Sequence, residues 1–110
     1  SIHAERARTR RTNWAAIVWF YEQLLLISPA LGTRVAYAAA ISEVKGPEAG
    51  WSVLASLDLK PVQSYQPYWA VRASVLQRLG RWAESREALD RAVGLAEDPA
   101  VRSYLLQRRA

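Results

Sequence analysis

The sequence predicts an all-α fold, antiparallel helix-turn-helix pairs stacked as a short superhelix of about six to seven helices. Three observations carry that expectation. Apolar residues recur at three- and four-residue steps through most of the 110 residues, and no alternating β pattern appears. Ser28-Pro29, Gly46-Pro47, Gly80 and Asp98-Pro99 punctuate those periodic stretches. Displaced by 34 residues, the chain also partly repeats itself.

Residues 1–9 contain no breaker and read as the end of a helix begun upstream, followed by a polar joint at Arg10, Arg11 and Thr12. Asn13 or Thr12 can cap the next helix, Trp14 to Ile27, which stops where Pro29 withholds a donor. Trp14, Ile17, Val18, Tyr21 and Leu25 share one face of it, but Trp19, Phe20 and Leu24 make the other faces apolar too. A helix apolar all round is packed from more than one side. The alanine-rich helix from Leu31 to Val44 ends at Gly46, and Pro47 suits the first turn of a helix running to Leu57. That helix places Trp51, Leu54 and Leu57 or Asp58 at three-residue steps.

Residues 58–67, with two prolines, read as a loop. Pro67 to Leu79 forms a further helix ended by Gly80, a residue suited to a left-handed cap. Trp82 to Ala96 follows, with Trp82, Ser85, Leu89, Ala92 and Ala96 on its inner stripe and Glu87–Arg91 spaced for an ion pair. Pro99 to Arg108 is the last helix, expected to bury Val101, Tyr104 and Leu105. Residues 1–110 thus form one domain: 1–11 an upstream helix end and joint, 12–96 the helical repeats, 97–110 a capping helix.

The composition excludes much chemistry. Without cysteine there is no disulfide, thiol nucleophile or thiolate metal ligand. His3 is the one histidine, and an ordinary helix position suits it better than ligation. Glu84/Glu87 and Glu97/Asp98 fall on a solvated face or in a loop, where nothing splits their pKa values for acid–base work. No catalytic residue, metal or cofactor is expected, and no small-molecule substrate. The longest apolar run, Trp14 to Tyr21, is shorter than the ~20 residues of a membrane span, and no secretory signal is evident. The chain lacks methionine even at position 1 and reads as a piece of a longer protein. The net charge of +5 belongs to the two ends, because from Thr12 to Gln107 nine basic residues meet nine acidic ones.

The 34-residue displacement pairs Ala39 with Ala73, Gly46 with Gly80, Val35 with Trp69 and Ala49 with Ala83. It is the tetratricopeptide period. In the later unit Trp69, Ala73, Leu76, Gly80, Trp82, Ser85, Leu89 and Ala92 supply the alternation of large and small side chains that paired helices need. The earlier unit is degenerate: Gly50 or Trp51 holds the small-residue site, so its register slips by one or two. Glu43, Ala70, Ser74, Gln77 and Arg78 fall at first-helix positions, which line the concave side of such arrays and form a candidate partner-binding face. Trp14, Trp51, Trp69 and Trp82 are expected in the core rather than as stacking platforms for nucleic acid, and Trp19 is the tryptophan expected outside.

Four motifs together resemble one family. They are the Thr-Asn-Trp-Ala-Ala-Ile opening at Thr12 to Ile17, the Gly-Pro-Glu-Ala-Gly turn at Gly46 to Gly50, Leu-Gly-Arg at Leu79 to Arg81, and the terminal helix at Arg102 to Arg108. In these the chain resembles the C-terminal TPR-like extension of extracytoplasmic-function RNA polymerase sigma factors, over essentially its whole length. Tyr37 and the 58–67 loop depart from the family's usual wording. The resemblance implies a regulatory, non-catalytic scaffold in a cytoplasmic bacterial transcription initiation factor. Its partners would be the sigma core regions, RNA polymerase or a regulatory protein, with DNA contacted only through regions upstream. A stand-alone TPR-like adaptor, or a basic nucleic-acid-binding helical module, are the alternatives.

Overall fold

Seven helices and no strand make up the described part of the chain, residues 13–109 of a computed structural model. They are α1 (Trp14–Ile27), α2 (Leu31–Lys45), α3 (Pro47–Ala55), α4 (Leu59–Val62), α5 (Gln66–Arg78), α6 (Trp82–Leu95) and α7 (Pro99–Arg109). The expected helix end at 1–9, the joint at Arg10 to Thr12 and His3 lie outside the described residues.

Local chemistry sets the boundaries. The Asn13 side chain accepts a hydrogen bond from the Ala16 N–H at 3.1 Å, so Asn13 caps α1. Pro47 opens α3, where a missing N–H costs nothing. Gly46 and Gly80 have φ of +99° and +78°, the only positive values among the described residues. Each reverses the chain between two paired helices, a conformation that disfavours any residue with a Cβ.

The helices pack as a ladder. α1 meets α2 around Val18, Ala40 and Ile41. α2, α3, α4 and α5 converge on Val35, Ala38, Leu54, Leu57, Val62, Tyr68 and Val75. α5 meets α6 around Ala73, Leu76 and Ala88, and α6 meets α7 around Ala92, Val93 and Leu105. Apart from that four-helix junction, each helix packs on its neighbours in the chain, the organisation of a stack of hairpins.

The two hairpins, α2–α3 and α5–α6, have the same crossing point. A Cβ at Gly50 would stand 3.0 Å from the Ala38 carbonyl oxygen. In the second hairpin the Ser85 hydroxyl donates to the Ala73 carbonyl at 2.7 Å. Ala38 and Gly50 therefore correspond to Ala73 and Ser85, an offset of 35 residues, while the turn glycines remain 34 apart. The expected pairing of Ala39 with Ala73 is corrected by one residue. Ala38 is the fully buried member and Ala39 faces a groove. The second hairpin has one residue fewer before its glycine and one more after it, so the turn glycines hide the shift.

Other departures have local causes. The 58–67 stretch is not all loop: α4 makes one turn in it and drives Val62 wholly into the core. α7 buries Leu105 in a cluster shared with α5 and α6, but Val101 and Tyr104 stay exposed, because no described helix follows α7 to cover its other side. Trp82 is 66% exposed and Trp14 37% exposed. Both open their helices, and a side chain at the first residue of a helix lies at the edge of the packed stripe. Glu87 and Arg91 form no ion pair among the described residues; the Arg91 guanidinium instead lies 4.5 Å from the Trp69 ring centre.

Candidate protein-interaction surface

Two grooves run along either flank of α5. The first, about 190 Å³, is walled by Ala39, Ser42, Glu43, Ala70, Val71, Ser74, Val75 and Arg78 from α2 and α5. The second, about 230 Å³, lies among α5, α6 and α7. Ala70, Ala73, Ser74 and Gln77 form its floor, Ser85 and Leu89 one wall, Leu105 another, and Trp82, Arg86, Tyr104 and Arg108 its rim. All five residues of the expected partner-binding face line one groove or the other, and Ala70 and Ser74 line both.

They do not act as one set. Arg78 is spent on structure, since its Nη1 donates to the Ser42 hydroxyl at 3.0 Å and to Glu43 at 3.4 Å. Those bonds cross from α5 to α2 and satisfy Ser42, the buried polar residue of the core. The first groove is thus lined by a pair of mutually neutralised charges. Ser74 and Gln77 remain open to the second groove.

That second groove contains residues the sequence reading missed. Among the described residues its charged side chains are Arg86 and Arg108, and no carboxylate lines it. Arg108 donates to the Tyr104 hydroxyl at 3.1 Å, and its guanidinium lies 5.8 Å from that ring centre, which fixes the cation beside an exposed aromatic surface. Arg86 and Arg108 lie 22 residues apart in sequence, and only the docking of α7 against α6 brings them to one rim. A basic side chain every few residues gave no signal by itself.

The structural positions divide similarly. Ala73, Leu76 and Ala92 are buried, Leu89 and Ser85 are partly so, and Gly80 makes the turn. Trp69 is half-buried, its indole N–H donating to the Gln63 carbonyl at 3.1 Å. Trp82 leaves the core set and joins the groove rim. On the opposite side of α5, Arg72 lies 4.7 Å from the Trp51 ring centre and 5.7 Å from that of Trp69, and Arg81 lies 4.7 Å from Trp51. These arginines lie over the half-buried indoles and cover their aromatic faces. Glu84 pairs with Arg81, and the Asp98 carboxylate caps α7 at the Ala100 N–H, 2.8 Å away.

Among the described residues one titratable group is shifted. Burial, then the charge of Glu22 and the hydrogen bond to it, raise the Tyr37 phenol above its ordinary pKa. The hydroxyl donates to Glu22 at 3.4 Å across α1 and α2, a structural contact away from both grooves. Among the described residues no helix is long and apolar enough to cross a membrane.

These features define an all-α protein of stacked helix hairpins with an open, cationic, aromatic-rimmed groove. Over 105 residues the chain is 31% identical to an uncharacterized protein of Rhizobium meliloti (strain 1021). The match takes in 96% of this chain and 25% of that protein, so the chain spans about a quarter of the length of the curated relative it matches. No family model matches, and no solved structure does.

Proposed function

We propose that this chain is a non-catalytic protein-interaction module that receives an acidic, apolar-anchored segment of a partner protein in the α5–α6–α7 groove. One observation carries the reading: Arg86 and Arg108 stand at the rim of a groove that holds exposed aromatic surface and, among the described residues, no carboxylate. A segment with one large apolar residue flanked by Asp or Glu would seat that residue against Trp82 and Tyr104 and its charges against the two guanidinium groups. Charge-assisted hydrogen bonds give such a contact register as well as affinity. From Thr12 to Gln107 basic and acidic residues balance, which favours a partner engaged at one cationic groove over a nucleic-acid backbone.

The motif resemblance supports a more specific setting, the C-terminal regulatory part of an extracytoplasmic-function sigma factor in the bacterial cytoplasm. The partner would then be a sigma core region, RNA polymerase or a regulator. A stand-alone adaptor remains the alternative. Fluorescence anisotropy with labelled acidic peptides carrying one Leu or Phe, and with their Lys-substituted counterparts, tests the groove. Acidic peptides should bind, Arg86→Glu should weaken them at least tenfold, and rising salt should weaken them too. Equal binding of acidic and basic peptides, or an unaffected Arg86→Glu variant, refutes the groove reading. Residues upstream of Ser1 test the setting: a polymerase-binding region and a helix-turn-helix there would establish it, and their absence would leave the adaptor.

A further inference from the structure

Among the described residues, nothing covers the apolar outer face of α1. Trp19 and Phe20 are 62% and 57% exposed, and Leu26 and Ile27 are each 82% exposed. With Ala16 and Gln23 they form one stripe at steps of three and four residues, running about 16 Å along the helix at ~1.5 Å per residue. The opposite stripe, with Ile17, Val18 and Tyr21, is already used against α2. Glu22 is the only charged residue of α1, and Tyr37 holds it on the flank, so the outer stripe is uncharged.

Aromatic side chains carry about 150–250 Å² each, so Trp19 and Phe20 alone leave roughly 200–300 Å² open. Leu26 and Ile27 bring the patch to roughly 500–600 Å², at the top of the range for a monomer's largest apolar patch. That is most of the ~800 Å² each partner gives up in an interface of standard size.

We infer that the face is closed by a second copy of the chain, α1 packing antiparallel on α1 about a two-fold axis at Gln23. That register sets Trp19 of one copy against Ile27 of the partner subunit and Phe20 against the partner's Leu26. The two Gln23 amides meet at the axis, where each can donate to the other. An isologous contact requires a self-complementary patch, and an uncharged apolar stripe sets no like charges against each other across the axis. This surface lies apart from the groove of the proposed function, and salt separates the two. Each copy carries a net charge of +5, so screening should strengthen self-association while it weakens binding of an acidic peptide.

Sedimentation equilibrium of the full chain, from low to high micromolar at two salt concentrations, tests the inference. A monomer–dimer equilibrium is expected, tighter at high salt, with Trp19→Glu and Leu26→Glu each raising the dissociation constant at least tenfold. Both side chains are exposed, so the variants should keep the wild-type far-UV circular dichroism and melting profile of the monomer. A chain monomeric throughout the range, or a dimer unaffected by both variants, overturns the inference and leaves the face to another occupant.

Discussion

Gly50→Ala probes the hairpin crossing directly. A Cβ there would stand 2.8 Å from the Ser42 Cβ and 3.0 Å from the Ala38 carbonyl oxygen. Neither neighbour can swing aside: one is backbone, and the other carries the hydroxyl that accepts from Arg78. The added methyl must push α2 and α3 apart, and such overpacking costs about 1–3 kcal/mol. Replacing glycine within a helix recovers at most ~1 kcal/mol of helix propensity. The net loss should be about 1–2 kcal/mol, which for a domain of this size lowers Tm by roughly 5–15 °C. Gly94→Ala is the matched control, because nothing lies within 4 Å of a Cβ at that helical position. It should gain about 0.5–1 kcal/mol. Thermal and urea unfolding of both variants measures the difference. If Gly50→Ala melts with or above wild type, the crossing at Gly50 and the 35-residue correspondence built on it are wrong.

Ala73 is buried between α5 and α6, so Ala73→Leu should cost about 1–3 kcal/mol by overpacking, read from its urea midpoint. Ser85→Ala removes the 2.7 Å bond to the Ala73 carbonyl and should cost about 0.5–1.5 kcal/mol in the same assay. Tyr37 gives a pH dependence. Its folded pKa is raised, so the unfolded phenol, near pKa ~10, loses its proton first. The contribution is intact below pH ~10 and is lost as pH rises through the folded value. Denaturation midpoints measured upward from pH ~9 should fall less steeply for Tyr37→Phe than for wild type, and identical slopes would count against the contact.

How legible the chain was varied with the kind of information needed. Period and punctuation were enough for six of the seven helices from Trp14 to Arg109. Asn13, Pro47, Gly46 and Gly80 act through bonds to residues a few positions away, and sequence records such neighbours. α4 escaped because the two prolines of the 58–67 stretch suggested a loop, although Pro61 sits within the first turn of α4, where its missing N–H costs nothing, and Pro67 opens α5. The candidate face was half legible: helical register puts Ala70, Ser74 and Gln77 on one side of α5, but cannot say which charges meet there. Arg78 looked available and is tied to α2, while Arg86 and Arg108 went unnoticed.

The sequence by itself therefore determined the helical class and the hairpin turns, because those depend on backbone propensity and local hydrogen bonds. Tertiary structure alone decided the 35-residue register of the crossings, the release of Trp82 to a groove rim and the bare stripe on α1. Each depends on which neighbour stands across a helix, and that distance is written in packing rather than in the order of residues.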